Sequence, residues 1–339
     1  MSQDQEIQQT LERFGAVRTS VARVIVGQQS VVDDLLVALI AGGHCLLQGV
    51  PGLGKTLLLR TLATALDLPF GRIQFTPDLM PADIIGSELL VESESGGRKF
   101  EFQKGPVFTS LLLADEINRT PPRTQSALLE AMAESSVTWA GKAHALPDPF
   151  FVMATQNPLE QAGTYPLPEA QLDRFLLMVN IDYPTLDEEI EVLERTTGTH
   201  KAEARAVMNR EDIALARALV REVPISAELI RYAAMLVRAT RPEDALATPA
   251  TTEWIRWGAG PRAGQALVVA AKARAMLDGR LAVTLSDLHA VAPSVLRHRL
   301  ILNFHAQSEH HSSDQVVQEL ISALPGPVDP LEAVTEQSA

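Results

Sequence analysis

The hydrophobic residues of the chain follow one pattern as far as residue 181 and another pattern after it. Up to residue 181, short apolar runs alternate with segments in which apolar residues recur at helical spacing. The runs are His44–Gln48, Arg72–Thr76, Leu111–Ala114, Phe150–Ala154 and Phe175–Ile181. Apolar strands that alternate with helices indicate a parallel sheet covered on both faces. The first part of the chain is therefore predicted to have an α/β fold.

Two amphipathic helices are predicted before the first of these strands. Apolar residues recur at helical spacing between Glu6 and Val24, and again between Val31 and Ile40. The second of these helices stops at Gly42-Gly43, which is typical of a helix C-terminal cap.

Two pairs of short runs around glycines predict β-hairpins. The first pair is Glu88–Glu92 and Arg98–Phe102 around Ser93–Gly97, and the second is Ser136–Ala140 and His144–Leu146 around Gly141-Lys142. The first hairpin is either an ornament or a loop that touches a substrate, and the sequence favours neither.

The strand pattern ends after Asp182–Thr185, and Leu186 to about Leu324 reads as helices. Ser286-Asp287 is predicted as the N-cap of a helix that ends near Leu300. We therefore expect an α/β domain with its N-terminal helix over residues 1–184 and a helical domain over residues 185–324. Residues 325–339 combine prolines, acids and small residues, which predicts a flexible tail.

Composition limits the classes of function. The chain has 339 residues, which suits two domains, and no apolar run approaches the roughly 20 residues needed to cross a bilayer. Its polar, acidic start does not resemble a signal peptide. Cys45 is the only cysteine, which excludes an intrachain disulfide and fits the reducing cytoplasm. The net charge of −13 argues against nucleic acid as the main partner.

The most informative stretch is GVPGLGKT at residues 49–56, which fits G-x-x-x-x-G-K-[ST] between a strand and a helix. Gly49, Gly52 and Gly54 allow a tight turn whose N–H groups face a polyphosphate, beside the positive end of the next helix. Lys55 can bind the β- and γ-phosphates, and the Thr56 hydroxyl can reach Mg²⁺. This stretch predicts a nucleotide site.

Polar residues follow two later strands. Asp115 and Glu116 end an apolar run, where one carboxylate can hold Mg²⁺ and the other can polarise an attacking water. Asn157 follows the next strand and can orient that water or contact the γ-phosphate, because parallel strands end at one ligand-binding edge. Arg174 and Arg262 are candidates to stabilise the transition-state charge, although each could also be an ordinary surface arginine.

Four histidines invite a metal-site interpretation: His298, His305, His310 and His311. Their spacing fits known ligand sets poorly, and no cysteine accompanies them, so we expect no metal there.

Taken together, the motifs resemble the MoxR family of AAA+ ATPases over roughly residues 20 to 300. The segments that carry the resemblance are IVG at 25–27, GVPGLGKT at 49–56, LLLADEINR at 111–119, ATQNP at 154–158, LPEAQLDRF at 167–175 and GAGPRA at 258–263. The resemblance implies a P-loop αβα core with a parallel five-stranded sheet and inserted β-hairpins, followed by an all-helical lid. GAGPRA departs slightly from the more usual GASPRA.

The resemblance also implies roles for individual residues. ATP would bind the Walker A segment, namely Gly49, Pro51, Gly52, Leu53, Gly54, Lys55, Thr56 and Leu57, with Val26 and Gly27 near the adenine. Asp115 and Thr56 would hold Mg²⁺, and Glu116 would be the catalytic base. Asn157 matches sensor 1, Arg174 the arginine finger and Arg262 sensor 2.

Family members usually form homo-oligomers, often hexameric rings, and act as chaperones with von Willebrand factor A domain partners. They mature client proteins, in some cases by metal insertion. Three alternatives remain: a chelatase-like motor subunit, a nucleotide-switched scaffold with little turnover, and a nucleic-acid motor. The acidic charge argues against the last, and the GAGPRA and LPEAQLDRF segments favour MoxR over a chelatase.

Overall fold

The structure, a computed structural model, describes residues 3–92, 98–157, 163–198 and 202–327, with side chains from residue 9 onward. The predicted turn at Ser93–Gly97 and residues 328–339 of the predicted tail lie outside the described residues. The chain divides into two compact units, residues 1–218 and residues 219–339. The domain boundary at residue 184 stays a prediction.

A five-stranded parallel sheet forms the centre of the first unit. The strands of this unit are β1 (Cys45–Gln48), β2 (Phe70–Gln74), β3 (Gly86–Glu92), β4 (Arg98–Lys104), β5 (Leu111–Asp115), β6 (Ser136–Trp139), β7 (Lys142–Ala145), β8 (Phe151–Gln156) and β9 (Leu177–Asn180). Five of them pair in parallel in the order β2-β5-β8-β1-β9. This confirms the predicted parallel sheet, although β2 begins two residues earlier than expected.

Burial explains why the inner strands are apolar. The residues Leu111, Leu112 and Leu113 of β5 are completely buried, and each such side chain stabilises the fold by roughly 1.5–3 kcal/mol. The edge strand β2 has one covered face only, so Arg72 and Gln74 are exposed at alternate positions. These two polar side chains lie beside the end of β5, with which β2 pairs residue by residue.

Helices flank the sheet. They are α1 (Gln3–Ala22), α2 (Gln29–Ile40), α3 (Lys55–Ala65), α4 (Pro81–Ile85), α5 (Pro122–Glu134), α6 (Glu169–Leu172) and α7 (Leu186–Thr197), with a 3-10 helix at Ile117–Arg119. Nine of the twelve residues of α2 are buried, which matches its apolar sequence. Helix α5 begins at Pro122, where the missing N–H of proline costs no helical hydrogen bond.

Both predicted hairpins are present as antiparallel pairs, β3 with β4 and β6 with β7. The turn of the second hairpin differs from the prediction, because Trp139 pairs with Lys142. The turn residues are Ala140 and Gly141, both at positive φ of 48° and 75°. Two left-handed residues are typical of a two-residue hairpin turn whose twist matches that of the strands.

An aromatic stack joins the two hairpins. The Phe102 ring on β4 lies 4.3 Å from the His144 ring and 6.1 Å from the Trp139 ring, centroid to centroid, at interplanar angles of 28°. The Phe108 ring packs against Phe102 edge-on at 6.0 Å. Aromatic pairs in such geometries stabilise by about 0.5–1.5 kcal/mol beyond their buried area. The two hairpins therefore form one platform, held together by Phe102.

The second unit is largely helical, as predicted. Its helices are α9 (Ala227–Ala239), α10 (Pro249–Trp254), α11 (Pro261–Leu277), α12 (Leu285–Leu296), α13 (Phe304–Ser308) and α14 (Ser313–Ala323), while α8 (Arg210–Glu222) crosses the division between the units. A small antiparallel pair, β10 (Ile255–Trp257) with β11 (Ile301–Leu302), was not predicted. Its strands are too short for an alternating pattern to reveal them.

The start of α12 corrects a prediction. Its N-cap is Thr284, not Ser286-Asp287, and the helix ends at Leu296 rather than near Leu300. The buried Asp287 carboxylate accepts a hydrogen bond from the Thr284 N–H at 2.8 Å and two from Arg280 at 2.6 and 2.5 Å. Asp287 therefore acts from the third helical position as part of a capping box.

Over the described ranges, no helix is both long enough and apolar enough to cross a membrane.

Candidate active site

The carboxyl ends of the sheet strands place the candidate residues at one edge. All five strands run parallel, so the loop after β1, the acid that ends β5 and the polar end of β8 lie side by side. Because β5 and β8 are neighbours, Asp115 and Thr155 face each other across the two strands. This edge is the usual place for a ligand in an open α/β sheet.

The loop between β1 and α3 has the backbone that its glycines predict. Gly52 and Gly54 adopt positive φ of 90° and 74°, and a Cβ at either position would meet no atom within 4 Å. Glycine suits these two positions because left-handed φ favours it. Glycine suits position 49 because the backbone passes close to Ile181, whose carbonyl oxygen would lie 2.7 Å from a Cβ.

Lys55 links the loop to the acids. Its Nζ donates to the Gly49 carbonyl oxygen. Burial lowers the pKa of Lys55, whereas the nearby carboxylates of Asp115 and Glu116 act to raise it. The lysine and both acids therefore share one electrostatic site. Among the neighbouring loop residues Pro51 and Leu57 are exposed, and Leu53 and Thr56 are half-buried.

Both carboxylate oxygens of Asp115 have partners. Oδ1 accepts a hydrogen bond from the Thr155 hydroxyl at 2.7 Å, and Oδ2 accepts one from the Arg72 guanidinium at 2.8 Å. Arg72 also donates to Gln74 Oε1 at 2.6 Å. The acid is thus oriented by an inner strand on one side and by the edge strand on the other.

Glu116 has an unusual backbone. Its φ of 58° and ψ of 50° are left-handed, which is uncommon for a residue with a side chain. Its N–H donates to the Thr155 hydroxyl oxygen at 2.8 Å. Its Oε2 accepts hydrogen bonds from Gln74 at 2.8 Å and from Arg119 at 3.1 Å. The carboxylate is thus oriented by two side chains, the exposed Gln74 and the half-buried Arg119.

Asn157 lies directly after β8, and its side chain is buried at the same edge as Asp115. It is therefore placed where sequence reasoning expected it. The structure does not describe Pro158, which follows it in the motif.

The segment around Gly27 lies against helix α7 and the loop between β1 and α3. Gly27 has φ of 62°, and a Cβ there would lie 2.2 Å from Glu188 Oε1 on α7. The neighbouring Gln28 donates through Nε2 to the Leu53 carbonyl oxygen of the loop at 3.3 Å. Gln28 thus connects this segment to the loop, a contact that sequence reasoning missed.

The candidate Arg174 is not among the residues gathered at this edge. Arg174 precedes β9, at the edge opposite the carboxyl ends, and its Nη1 donates to the Leu129 carbonyl oxygen of α5 at 2.9 Å. Within one chain the topology therefore separates Arg174 from the acids. Arg262 is the second residue of α11 in the second unit, and its side chain is exposed.

Sequence reasoning also missed Arg72, Gln74 and the role of Thr155. The signal for Arg72 and Gln74 was their alternation on one face of an edge strand. Their partners depend on strand order, because β5 follows β2 by more than thirty residues yet lies beside it. Thr155 was part of a quoted motif, but a threonine in a strand is usually assigned to packing.

The histidines of the second unit form no metal-suited group. Within the described ranges no cluster of three or more His, Cys, Asp or Glu side chains has suitable geometry. His305 lies 3.8 Å from the carboxylates of both Glu253 and Glu309, so it makes only long contacts to acids.

Comparison with known proteins gives consistent results. Residues 44–177 match the family described as ATPase family associated with various cellular activities (AAA), and residues 248–320 match the AAA lid domain. The chain is 41% identical over 304 residues to Chaperone MoxR1 of Mycobacterium tuberculosis, covering 90% of this chain and 80% of that protein. It is 34% identical over 316 residues to Protein MoxR of Paracoccus denitrificans, covering 88% and 92%.

A solved structure is similar as well. The crystal structure of a candidate ATPase from Cytophaga hutchinsonii superimposes with a TM-score of 0.88 at 40% identity, and the match covers 96% of this chain and 98% of that one.

Proposed function

Since the chain belongs to the MoxR family of AAA+ ATPases, we propose that it hydrolyses ATP with Mg²⁺ to remodel or mature a client protein. The observation that supports this best is the grouping of Lys55, Asp115 and Glu116 beside a glycine-rich loop at one sheet edge. A cation, a metal-binding acid and a second acid are the parts that phosphoryl transfer to water requires.

The residues at this edge suit ATP and Mg²⁺. Open space surrounds the loop at Gly52 and Gly54, and the loop leads into the N-terminus of α3, where backbone N–H groups favour a phosphate. Thr56 and Asp115 supply the hard oxygen ligands that Mg²⁺ prefers. When bound, Mg²⁺ would neutralise charge on the β- and γ-phosphates. Pro51, Leu53 and Leu57 complete the loop, and Val26 with Gly27 would lie near the adenine.

Glu116 is proposed as the base that accepts a proton from the attacking water. Its carboxylate now bonds to Gln74 and Arg119, both of which have side chains that can swing away. Lys55 would first give up its contact with the Gly49 carbonyl oxygen to bind phosphate. Asn157, from the end of β8, would orient the water.

Arg174 and Arg262 are proposed to complete the site. Because Arg174 lies at the opposite sheet edge of its own chain, it would act on a neighbouring subunit's nucleotide, as arginine fingers supplied in trans do. This supports a homo-oligomeric ring, because a head-to-tail contact generates a ring when its rotation closes. We propose that the ring is a hexamer. Arg262 would act from the helical lid as sensor 2.

We propose that the ATPase acts on other proteins. Two relatives are named Chaperone MoxR1 and Protein MoxR, which supports a chaperone-like role. A von Willebrand factor A domain protein is the proposed partner, and metal insertion into a client is one form of the maturation. We place this activity in the cytoplasm, where ATP is abundant. The net charge of −13 disfavours nucleic acid as substrate.

The test is ATPase rate per subunit against protein concentration for wild type, Arg174→Ala and a control, Arg231→Ala. Arg231 is an exposed arginine of α9 outside the proposed site. We expect a rate that rises with concentration, and a loss of about 10³-fold in Arg174→Ala with assembly intact, since arginine fingers contribute 10³–10⁵. The control should match wild type.

A concentration-independent rate that survives Arg174→Ala would contradict action in trans. An absence of turnover under all conditions, including added partner, would favour the nucleotide-switched scaffold.

A further inference from the structure

Thr155 occupies a buried position between the two acids. It is the second-last residue of β8, and only 1% of it is exposed. Its hydroxyl contacts Asp115 Oδ1 at 2.7 Å and the Glu116 backbone N at 2.8 Å. One small side chain thus bonds to two consecutive residues of the neighbouring strand end.

The direction of both hydrogen bonds follows from the donors available. The Glu116 N–H can only donate, so the Thr155 oxygen accepts from it. The single hydroxyl proton then goes to Asp115 Oδ1, because an ionised carboxylate can only accept. A bond to an ionised acceptor is shorter and stronger than one between neutral groups, which fits the 2.7 Å distance.

The contact to Glu116 bears on its backbone. Left-handed φ is uncommon for glutamate, and it directs the side chain away from the path that an extended strand would give. The Thr155 oxygen satisfies the N–H of this residue in that conformation. The direction of the Glu116 carboxylate and the rotamer of Asp115 therefore depend on the same hydroxyl.

We infer that Thr155 is a positioning residue for both acids, which sets Asp115 for metal binding and Glu116 for proton transfer. The inference rests on the proposed function, since it takes its reaction from there. The register places residue 155 beside Asp115, because Ala114 pairs with Ala154 and the next residues of both strands are in contact. Arg72 holds the other oxygen of Asp115.

The experiment compares three substitutions with wild type: Thr155→Ser, Thr155→Ala and the near-isosteric Thr155→Val. Serine keeps the hydroxyl, alanine differs from serine by that hydroxyl alone, and valine keeps the volume. The readouts are kcat and KM for ATP, the Mg²⁺ concentration at half-maximal rate, binding of a fluorescent ATP analogue in EDTA, and thermal unfolding.

We expect Thr155→Val and Thr155→Ala to lower kcat by about tenfold or more, because a hydrogen bond to a charged group is lost at the reacting acids. The Mg²⁺ requirement should rise severalfold, while KM and binding in EDTA stay within about twofold. Thr155→Ser should stay within about threefold of wild type in kcat. A structural role alone would lower thermal stability without this split between kcat and KM.

The outcomes separate a failure of the Thr155 inference from a failure of the proposed function. Equal kcat and Mg²⁺ dependence in the serine and alanine variants would overturn the role of Thr155, and this comparison survives even if the valine variant does not fold. Glu116→Gln is measured in parallel. If it keeps normal turnover, the proposed function fails; if it is inactive while Thr155→Ala is normal, only the Thr155 inference fails.

Discussion

The two edges of the parallel sheet hold their polar groups with different kinds of partner. At the edge where the strands begin, the His44 ring is buried: Val152 N–H donates to Nδ1 at 3.1 Å, and Nε2–H donates to the Met132 carbonyl oxygen at 3.2 Å. At the edge where the strands end, Glu116 bonds to the side chains of Gln74 and Arg119.

The difference lies in the partners. His44 bonds to backbone groups of β8 and α5, which move only if the fold opens. Glu116 bonds through its carboxylate to side chains on β2 and the 3-10 helix, and a side chain can change rotamer without opening the fold. His44 is buried and Glu116 is half-buried, and they also differ in whether their partners are backbone groups or side chains. We expect the kind of partner to separate a structural polar residue from a functional one.

The largest effect is expected from Glu116→Gln. The substitution removes the proposed base, and general bases contribute typically 10²–10⁴-fold, so turnover should fall by about that factor. ATP binding and the thermal midpoint should stay close to those of wild type, because the amide can keep the contact with Gln74. Steady-state turnover and nucleotide binding measure this. A large loss of stability would contradict the contrast between the edges.

His44→Leu should give the reverse result. It leaves the Val152 N–H and the Met132 carbonyl without partners, and each buried unsatisfied group costs about 1–3 kcal/mol. We expect the free energy of unfolding to fall by about 2–5 kcal/mol, measured by chemical denaturation, with the ATPase rate per folded molecule unchanged. A specific loss of turnover with normal stability would show that this edge also serves the reaction.

Acid should destabilise the protein through the same histidine. Burial lowers the pKa of His44 to about 4, a backbone contact with Met132 opposes this, and the positive charge of Arg217 adds to it. The unfolded histidine binds a proton near pH 6.5, so stability should fall by up to about 1.4 kcal/mol per pH unit as pH drops from about 6.5 to about 4. Denaturation at several pH values measures the slope.

The variant His44→Leu is the matched control for this acid effect. It should lose the part of the slope that His44 contributes between these pH values. An identical slope in the variant would assign the acid sensitivity to other groups.

The smallest effect is expected from Asp148→Asn at the same edge as His44. The Asp148 carboxylate accepts from Arg217 at 2.9 Å, but its side chain is 82% exposed. Exposed ion pairs contribute about 0–1 kcal/mol, so we expect a loss of about 0.5 kcal/mol that shrinks with added salt. A loss of unfolding free energy as large as that of His44→Leu would mean that a contact to an exposed side chain can also stabilise the fold strongly.

The sequence predicted those parts of the site that consist of residues close together in the chain. Local patterns identify two parts of the site. The spacing of Gly49, Gly52 and Gly54 predicts the loop conformation, and the apolar run before Asp115-Glu116 predicts two acids at a strand end. Arg72, Gln74 and Thr155 could not be assigned the same way. Their contacts depend on strand order and register, which bring together residues about forty positions apart.

Smaller differences have local physical causes. The α12 N-cap falls at Thr284 because Asp287 is drawn inward by Arg280 and so serves as the third helical residue. The turn of the second hairpin includes Ala140 in a left-handed conformation, which alanine rarely adopts. The sequence pattern therefore centred the turn on Gly141 and placed it one position later. The β10–β11 pair links strands more than forty residues apart, which no local pattern reveals.

The stack on Phe102 has a mechanical consequence. An isolated two-stranded hairpin is compliant, since it has little to brace it against bending. With Phe102 stacked on the Trp139 and His144 rings of the other hairpin, we expect a load on one hairpin to be shared with the other. Truncation of the ring at residue 102 would remove this coupling and leave each hairpin to bend separately.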